Sequence, residues 1–285
     1  MKKIVGVVLL VFLSAGILLS AQEANPASDF EYDLNQEGTG VVIKKYEGTS
    51  KDVIIPSSIE DFPIVEVDMS NTDIISVVLP DSVTYFDFKY CENLKKIVFP
   101  KDLKTIPSQC FYYCKELKEI TLPQGLVKIS SKTFSNSGLE SIVIPDSVKM
   151  IDYGAFEKCE NLKTITVGTG LESISREAFK GCTALTSIML GDKLKHIDVE
   201  AFCRCTSLTS VKMGKGINII RERAFEDCRS LTTFDIGVKE LPYLHDYDLW
   251  KEDAKGYCWD VFKGCSSLSL KEKKKIKDTG YKGEF

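Results

Sequence analysis

Apolar residues return along most of this chain at one interval. Phenylalanine stands at positions 88, 111, 134, 156, 179, 202, 225 and 262, separated by 23, 23, 22, 23, 23, 23 and 37 residues. A leucine follows six places on, or five in the one short unit, at 94, 117, 139, 162, 185, 208, 231 and 268. A fixed period of this length predicts a solenoid of stacked units. Within a unit, Leu162 to Val167 alternates, with Ile165 and Val167 on one face of an extended segment and Thr164 and Thr166 on the other, which predicts a half-buried strand. Proline or glycine then stops the strand at 100, 123, 145, 168, 191, 214 and 237. A second apolar pair, such as Val148 with Ile151 or Leu171 with Ile174, leads into an Ala-Phe step read as a short helical turn that packs its phenylalanine inward. One coil alone cannot close a core. Stacking eight phenylalanines and eight leucines can, at about 1.5 to 3 kcal/mol per fully buried side chain.

Both ends of the array depart from the period. Residues 22–73 read as an N-terminal β cap leading into the array, with strands expected at Val41 to Tyr46, Asp52 to Pro56 and Pro63 to Val67. A terminal coil lacks a neighbour on one side and needs such a cover. The repeats occupy 74–268, interrupted by an insertion at 238–257, and 269–285 forms a C-terminal cap or tail with the basic run Lys271 to Lys277.

Units such as Ile151 to Ile165, with Ala155, Phe156, Cys159 and Leu162 followed by Pro or Gly, closely resemble the BspA-type leucine-rich repeat family. The resemblance covers about Phe30 to Leu268. It implies a leucine-rich repeat solenoid, mainly β with short helical turns, and a curved parallel sheet on the concave face. It also implies an exported or surface-exposed protein, several members being adhesins, and it brings no catalytic residues. The chain departs from the family pattern where Ser137 replaces the column cysteine, where Cys110 replaces alanine, and in the last spacing.

Residues 1–21 open with Lys2 and Lys3, continue apolar from Ile4 to Leu19 and close on small residues, the pattern of a signal peptide. Ser14 and Gly16 interrupt the run and argue against an uncleaved anchor. With no cysteine before Cys91 to carry a lipid, the mature chain is expected to be exported, secreted or at the cell surface, or in the periplasm, with no membrane span left. Removing two lysines takes the formal charge from -4 to -6, which gives no general electrostatic case for nucleic acid.

Seven of the ten cysteines (91, 114, 159, 182, 205, 228 and 265) share one repeat position. Coils stacked about 4.8 Å apart bring them within disulfide range, but equivalent side chains point in parallel, so buried free thiols are expected. Cys203 with Cys205, and Cys110 with Cys114, lack the four-ligand set of a closed zinc site. Only His196 and His245 exist, without a hydrolase or phosphate-cradling motif, so no enzyme, metal or cofactor is expected. A hydrolase built around His245 would want a nucleophile that the sequence does not offer.

Binding is expected at two places. One is the outward strand row Val78, Val98, Thr121, Val143, Thr166, Met189, Lys212 and Asp235, with a polar neighbouring row that includes Lys96 and Thr164. Valine and threonine also suit any exposed strand. The other is the aromatic insertion, with Tyr243, Tyr247 and Trp250 as anchors; it serves equally as a cover for the last coil. The resulting expectation is a non-enzymatic protein-binding module, an adhesin for a host matrix or partner-cell protein; the alternative is a periplasmic or envelope scaffold without a host ligand.

Overall fold

A computed structural model describes residues 23–237, 260–279, 281 and 283–285. The signal-peptide expectation and the insertion at 238–257 lie outside these residues. The chain winds into a β-solenoid built of parallel sheets. One sheet direction carries the strands expected from the alternation, in three laddered groups. These are Asp52–Ile54 with Ser76–Val78 and Lys96–Val98; Ser141–Ile144 with Thr164–Val167; and Ser187–Leu190 with Ser210–Met213 and Thr233–Ile236. The second apolar pair of each unit, which alternation alone leaves unassigned, forms a further parallel sheet of six two-residue strands. It runs from Thr105–Ile106 through Lys128–Ile129, Met150–Ile151, Ser173–Ile174 and His196–Ile197 to Ile219–Ile220.

The third side of each coil holds the Phe column. The helical turns expected there are single turns, each closed by one bond across three residues, as in Ala155 N–H to Asp152 O at 3.2 Å and Glu157 N–H to Gly154 O at 2.9 Å. They do not propagate into helix because, from Phe111 onward, the residues two before and two after each column phenylalanine are left-handed, Gly154 at φ +56° and Lys158 at φ +55° around Phe156. Left-handed backbone costs a non-glycine residue about 1 to 2 kcal/mol. In return the amide groups turn outward along the solenoid axis. Gly154, Phe156 and Lys158 donate to the carbonyls of Arg176, Ala178 and Lys180 in the next coil at 3.0, 2.7 and 2.7 Å.

Inside this backbone ladder the phenylalanines form a stack. Phe156, Phe179, Phe202 and Phe225 lie 5.1 Å apart, centroid to centroid, with interplanar angles of 2 to 6°. All eight column phenylalanines are fully buried. The cysteine column is equally buried and unbridged among the described residues. Its thiols are donors: Cys159 Sγ lies 3.0 Å from Phe134 O, Cys182 Sγ 3.1 Å from Phe156 O, and Cys205 Sγ 3.2 Å from Phe179 O. A small apolar group with one weak donor suits a buried carbonyl that already accepts one backbone bond. Ser137, in the same column, instead sets its hydroxyl 3.5 Å from Cys159 Sγ.

Corners are tightened by close backbone approach. A Cβ on Gly170 would lie 1.8 Å from Asp146 O, and one on Gly216 1.9 Å from Asp192 O, so only glycine fits. The carboxylates beneath them accept backbone N–H groups of the coil above, Asp146 from Thr169 at 2.7 Å and Asp192 from Lys215 at 2.9 Å.

The first strands are antiparallel, Phe30–Leu34 against Val41–Tyr46, and Val41–Tyr46 then runs parallel to Phe62–Asp68, whose other edge pairs with Tyr85–Asp87. At the far end Ser269 caps the helix Leu270–Asp278, accepting Glu272 N–H at 3.2 Å. Ile276 and Tyr281 are buried there, and the Tyr281 ring meets Phe262 edge-on at 5.2 Å. Glu272 accepts Phe234 N–H at 3.2 Å and Lys275 donates to Phe234 O at 3.4 Å, so helix side chains satisfy the open edge of the last strand.

Phe179→Ala is expected to destabilise the protein by about 3 to 5 kcal/mol, because rigid stacked neighbours on both sides hold the cavity open; a neutral result in denaturant unfolding would contradict the core assignment. Burial also pushes the thiols of Cys159 and Cys265 from an ordinary 9.0 up to about 12. Between those values the unfolded chain binds fewer protons than the folded one, so stability is full below about pH 9 and falls as pH rises toward 12, by about 1.4 kcal/mol per pH unit per thiol. A melting temperature unchanged between pH 8 and 11 would be incompatible with this. In the same material a thiol count after unfolding should reach at least the nine described cysteines; two or fewer would mean that the column is bridged.

Candidate functional site

The outward row of the strand face is in register where ladders connect it. Val78 pairs with Val98, Val143 with Thr166, and Met189 with Lys212 and through it Asp235. Val143 is 61% and Met189 66% exposed, the most open of the large apolar side chains in the repeats. Thr121, Thr166 and Lys212 are exposed, whereas Val78 and Val98 are half-buried. Lys96 is exposed and belongs to the adjoining row, opposite Ser76. Asp235 is engaged by Lys275 of the terminal helix at 3.3 Å. Tyr243, Tyr247 and Trp250 lie outside the described residues.

Two discontinuities in the sheet shape this face. Residues 119–122 carry no ladder between Lys96–Val98 and Ser141–Ile144, and the ladder also breaks between Thr164–Val167 and Ser187–Leu190. At these breaks the inward strand residues are half-buried: Ile97, Phe99 and Ile120 at the first, Ile165 and Val167 at the second. Their counterparts on the far side of each break, Ile142 and Ile188, are buried, as are Leu122 and Val211. Apolar surface therefore reaches inward from the exposed row at two places.

The margins of the face are polar and mostly self-satisfied. Glu140 lies between Lys118 at 3.8 Å and Lys163 at 3.1 Å, and Lys163 holds its carboxyl below the ordinary value. Beyond it runs a threonine ladder, in which Thr209 donates to Thr186 O at 2.9 Å and Thr232 to Thr209 O at 3.1 Å. At the N-terminal end Lys51, Asp73, Ile75, Asn93, Lys95 and Glu116 line a shallow groove, with Lys51 and Asp73 ion-paired.

Nothing in this arrangement assembles a nucleophile with a base. His196 sits exposed on its two-residue strand. Among the described residues no three His, Cys, Asp or Glu side chains converge to hold a metal ion. Cys203 lies 3.7 Å from Glu226, and burial, with that carboxylate second, pushes its thiol up to about 12, opposite to the shift a nucleophilic cysteine needs. The sequence period does not single out a group of tyrosines, Tyr90, Tyr112 and Tyr113, that the Phe-column side brings into mutual ring contact. Its signal was present: aromatic letters in a position that other units fill with Asn, Lys, Gly, Arg or Asp.

A family model described as "BspA type Leucine rich repeat region" matches six copies, over residues 63–137, 81–182 and 127–247. Among solved structures, a T. pallidum leucine-rich repeat protein is 25% identical with a TM-score of 0.52, over 92% of this chain and 99% of that one. A leucine-rich cell surface protein of Faecalibacterium prausnitzii A2-165 is 19% identical, TM-score 0.38, over 88% and 94%. The pneumococcal vaccine antigen PcpA is 18% identical, TM-score 0.43, over 88% and 79%. No curated protein matches the chain.

If the outward row is free surface rather than packing, Val143→Thr and Met189→Lys should each change stability by no more than about 0.5 kcal/mol. A larger loss in thermal unfolding would mean that these side chains are covered within the fold.

Proposed function

Because the chain belongs to the BspA-type leucine-rich repeat family, we propose that it is an exported, non-enzymatic protein whose strand face binds a protein partner on a host or neighbouring-cell surface. The observation that carries this reading is the pair of exposed apolar side chains Val143 and Met189, on neighbouring ladders of a face whose polar margins already satisfy one another. A surface of that kind gains free energy only when another surface removes it from water, and an apolar centre with a polar rim is the usual anatomy of an interface. Leucine-rich repeat solenoids typically act as binding scaffolds. No helix among the described residues is long and apolar enough to cross a membrane.

The test is capture of a cell-surface protein by the full chain, compared with a Val143→Glu/Met189→Glu variant. The variant should melt at the same temperature yet bind the captured partner at least about tenfold more weakly, a loss of about 1.4 kcal/mol or more. Equal binding by the variant would remove the strand face from the reading. Protease added to intact cells decides the adhesin role separately: digestion only after the envelope is broken favours the scaffold alternative.

A further inference from the structure

On the Phe-column side, remote from the strand face, Tyr90 and Tyr113 both occupy the left-handed position two after a column phenylalanine, at φ +60° and +62°. Other units place Asn136, Lys158, Gly181, Arg204, Asp227 and Gly264 there, small and polar letters alike. A ring at that position is required by neither the backbone nor the core, since polar side chains serve in the other units and Tyr90 is 42% exposed. The two rings and Tyr112 form a cluster, with centroids 4.7 to 5.7 Å apart.

Cations attend this cluster. Lys115 Nζ sits 4.5 Å from the centre of the Tyr113 ring and pairs with no carboxylate among the described residues. Farther along, Lys132 Nζ sits 5.2 Å from the centre of the Tyr153 ring. In the two flanking ion pairs the acid is inward and the base outward: Lys89 is 38% exposed against 14% for Asp87, and Lys132 32% against 15% for Glu157. Solvent thus meets ammonium groups and tyrosine rings. None of the hydroxyls of Tyr90, Tyr112, Tyr113 or Tyr153 has a hydrogen-bond partner among the described residues.

We infer that this side of the first coils is a second binding site, for an anionic glycan bearing sulfate or carboxylate groups. Tyr90 and Tyr153 are exposed and Tyr112 and Tyr113 half-buried, so the group offers an open ring to the C–H side of a pyranose and hydroxyls at its rim, and ammonium groups beside them meet the anionic oxygens. The coils rise by about 4.8 Å each, close to the repeat of an extended sugar chain, so two successive sugars can meet Tyr90 and Tyr113 at equivalent positions of adjacent coils. A nucleic-acid strand shares the charge but stacks its bases on open ring faces, and lysine already covers one face of Tyr113 and of Tyr153. A protein hot spot is a desolvated centre from which lysine is depleted, whereas lysines stand directly against these rings.

The experiment measures binding of the full chain to fluorescent heparin and hyaluronan hexasaccharides, a neutral dextran oligomer and a thymidine oligonucleotide. At least one anionic sugar should bind, separating sulfate from carboxylate recognition, and dextran should not. The Tyr90→Asn/Tyr113→Asn variant, which relaxes the backbone, should keep or raise the melting temperature while weakening that binding at least about tenfold, and Lys115→Gln should weaken it too. The inference is overturned if neither anionic sugar binds, if dextran binds as well, if the tyrosine variant binds unchanged, or if the oligonucleotide binds as tightly and is lost in the same variant.

Discussion

The fold depends on how each coil hands its backbone amides to the next. On the Phe-column side N–H groups cross to the following coil, as those of Gly154, Phe156 and Lys158 do, and left-handed residues two before and two after the phenylalanine turn them there. Those conformations oppose folding locally, and the stacked phenylalanines and leucines offset them. The cysteine column fits the same constraint, its thiol donating to the carbonyl of the phenylalanine one coil back. Coil spacing, ring stacking and thiol geometry are thus one repeated solution. Removing any member disturbs its two neighbours first, as expected of a stack with nearest-neighbour energetics.

The parts of this solution that need a particular side chain were readable from the sequence. Phenylalanine, cysteine and leucine recur because each fills a closed site, and the alternation of Thr164 to Val167 marks its strand. The parts made by backbone were not readable. The sheet of two-residue strands, such as Ser173–Ile174, is too short to show a period of two, and the left-handed positions accept Glu177, Arg204, Asn136 or Tyr113 alike. Letters that vary across units hide a conformation that does not. The candidate row at Val143, Thr166 and Met189 was legible because outward strand positions follow from inward ones. The sheet breaks beside it were not, since Ile165 and Ile188 look equivalent in sequence although only Ile188 is buried.

Each end of the stack meets a different problem. At the start, the strand Phe62–Asp68 accepts Val41–Tyr46 on one edge and Tyr85–Asp87 on the other, so the solenoid's hydrogen bonding passes directly into a small mixed sheet. At the finish no further strand follows Thr233–Ile236 in the described ladder. Glu272 and Lys275 provide one acceptor and one donor to Phe234, and opposite charges on one helical turn serve where a strand would have continued. The basic run in the sequence contains this arrangement, but only the position of Glu272 within it makes the pairing possible.

A solenoid whose core columns are fixed leaves function to the letters that packing does not choose, and the three sides of the coil differ in how freely they choose. Corners are constrained: Gly170 and Gly216 admit no side chain, and Asp146 and Asp192 are occupied with backbone amides. Outward strand positions are free in volume and held in register within each ladder, which suits a surface spanning several coils, where Val143 and Met189 stand open. The left-handed positions on the Phe-column side fix the backbone but not the side chain, since Lys158, Arg204, Asp227, Gly181 and Tyr113 all occupy them. Tyr90 and Tyr113, whose rings meet on adjacent coils, are therefore chosen neither by the backbone nor by the core, and in this they match Val143 and Met189 on the larger strand face.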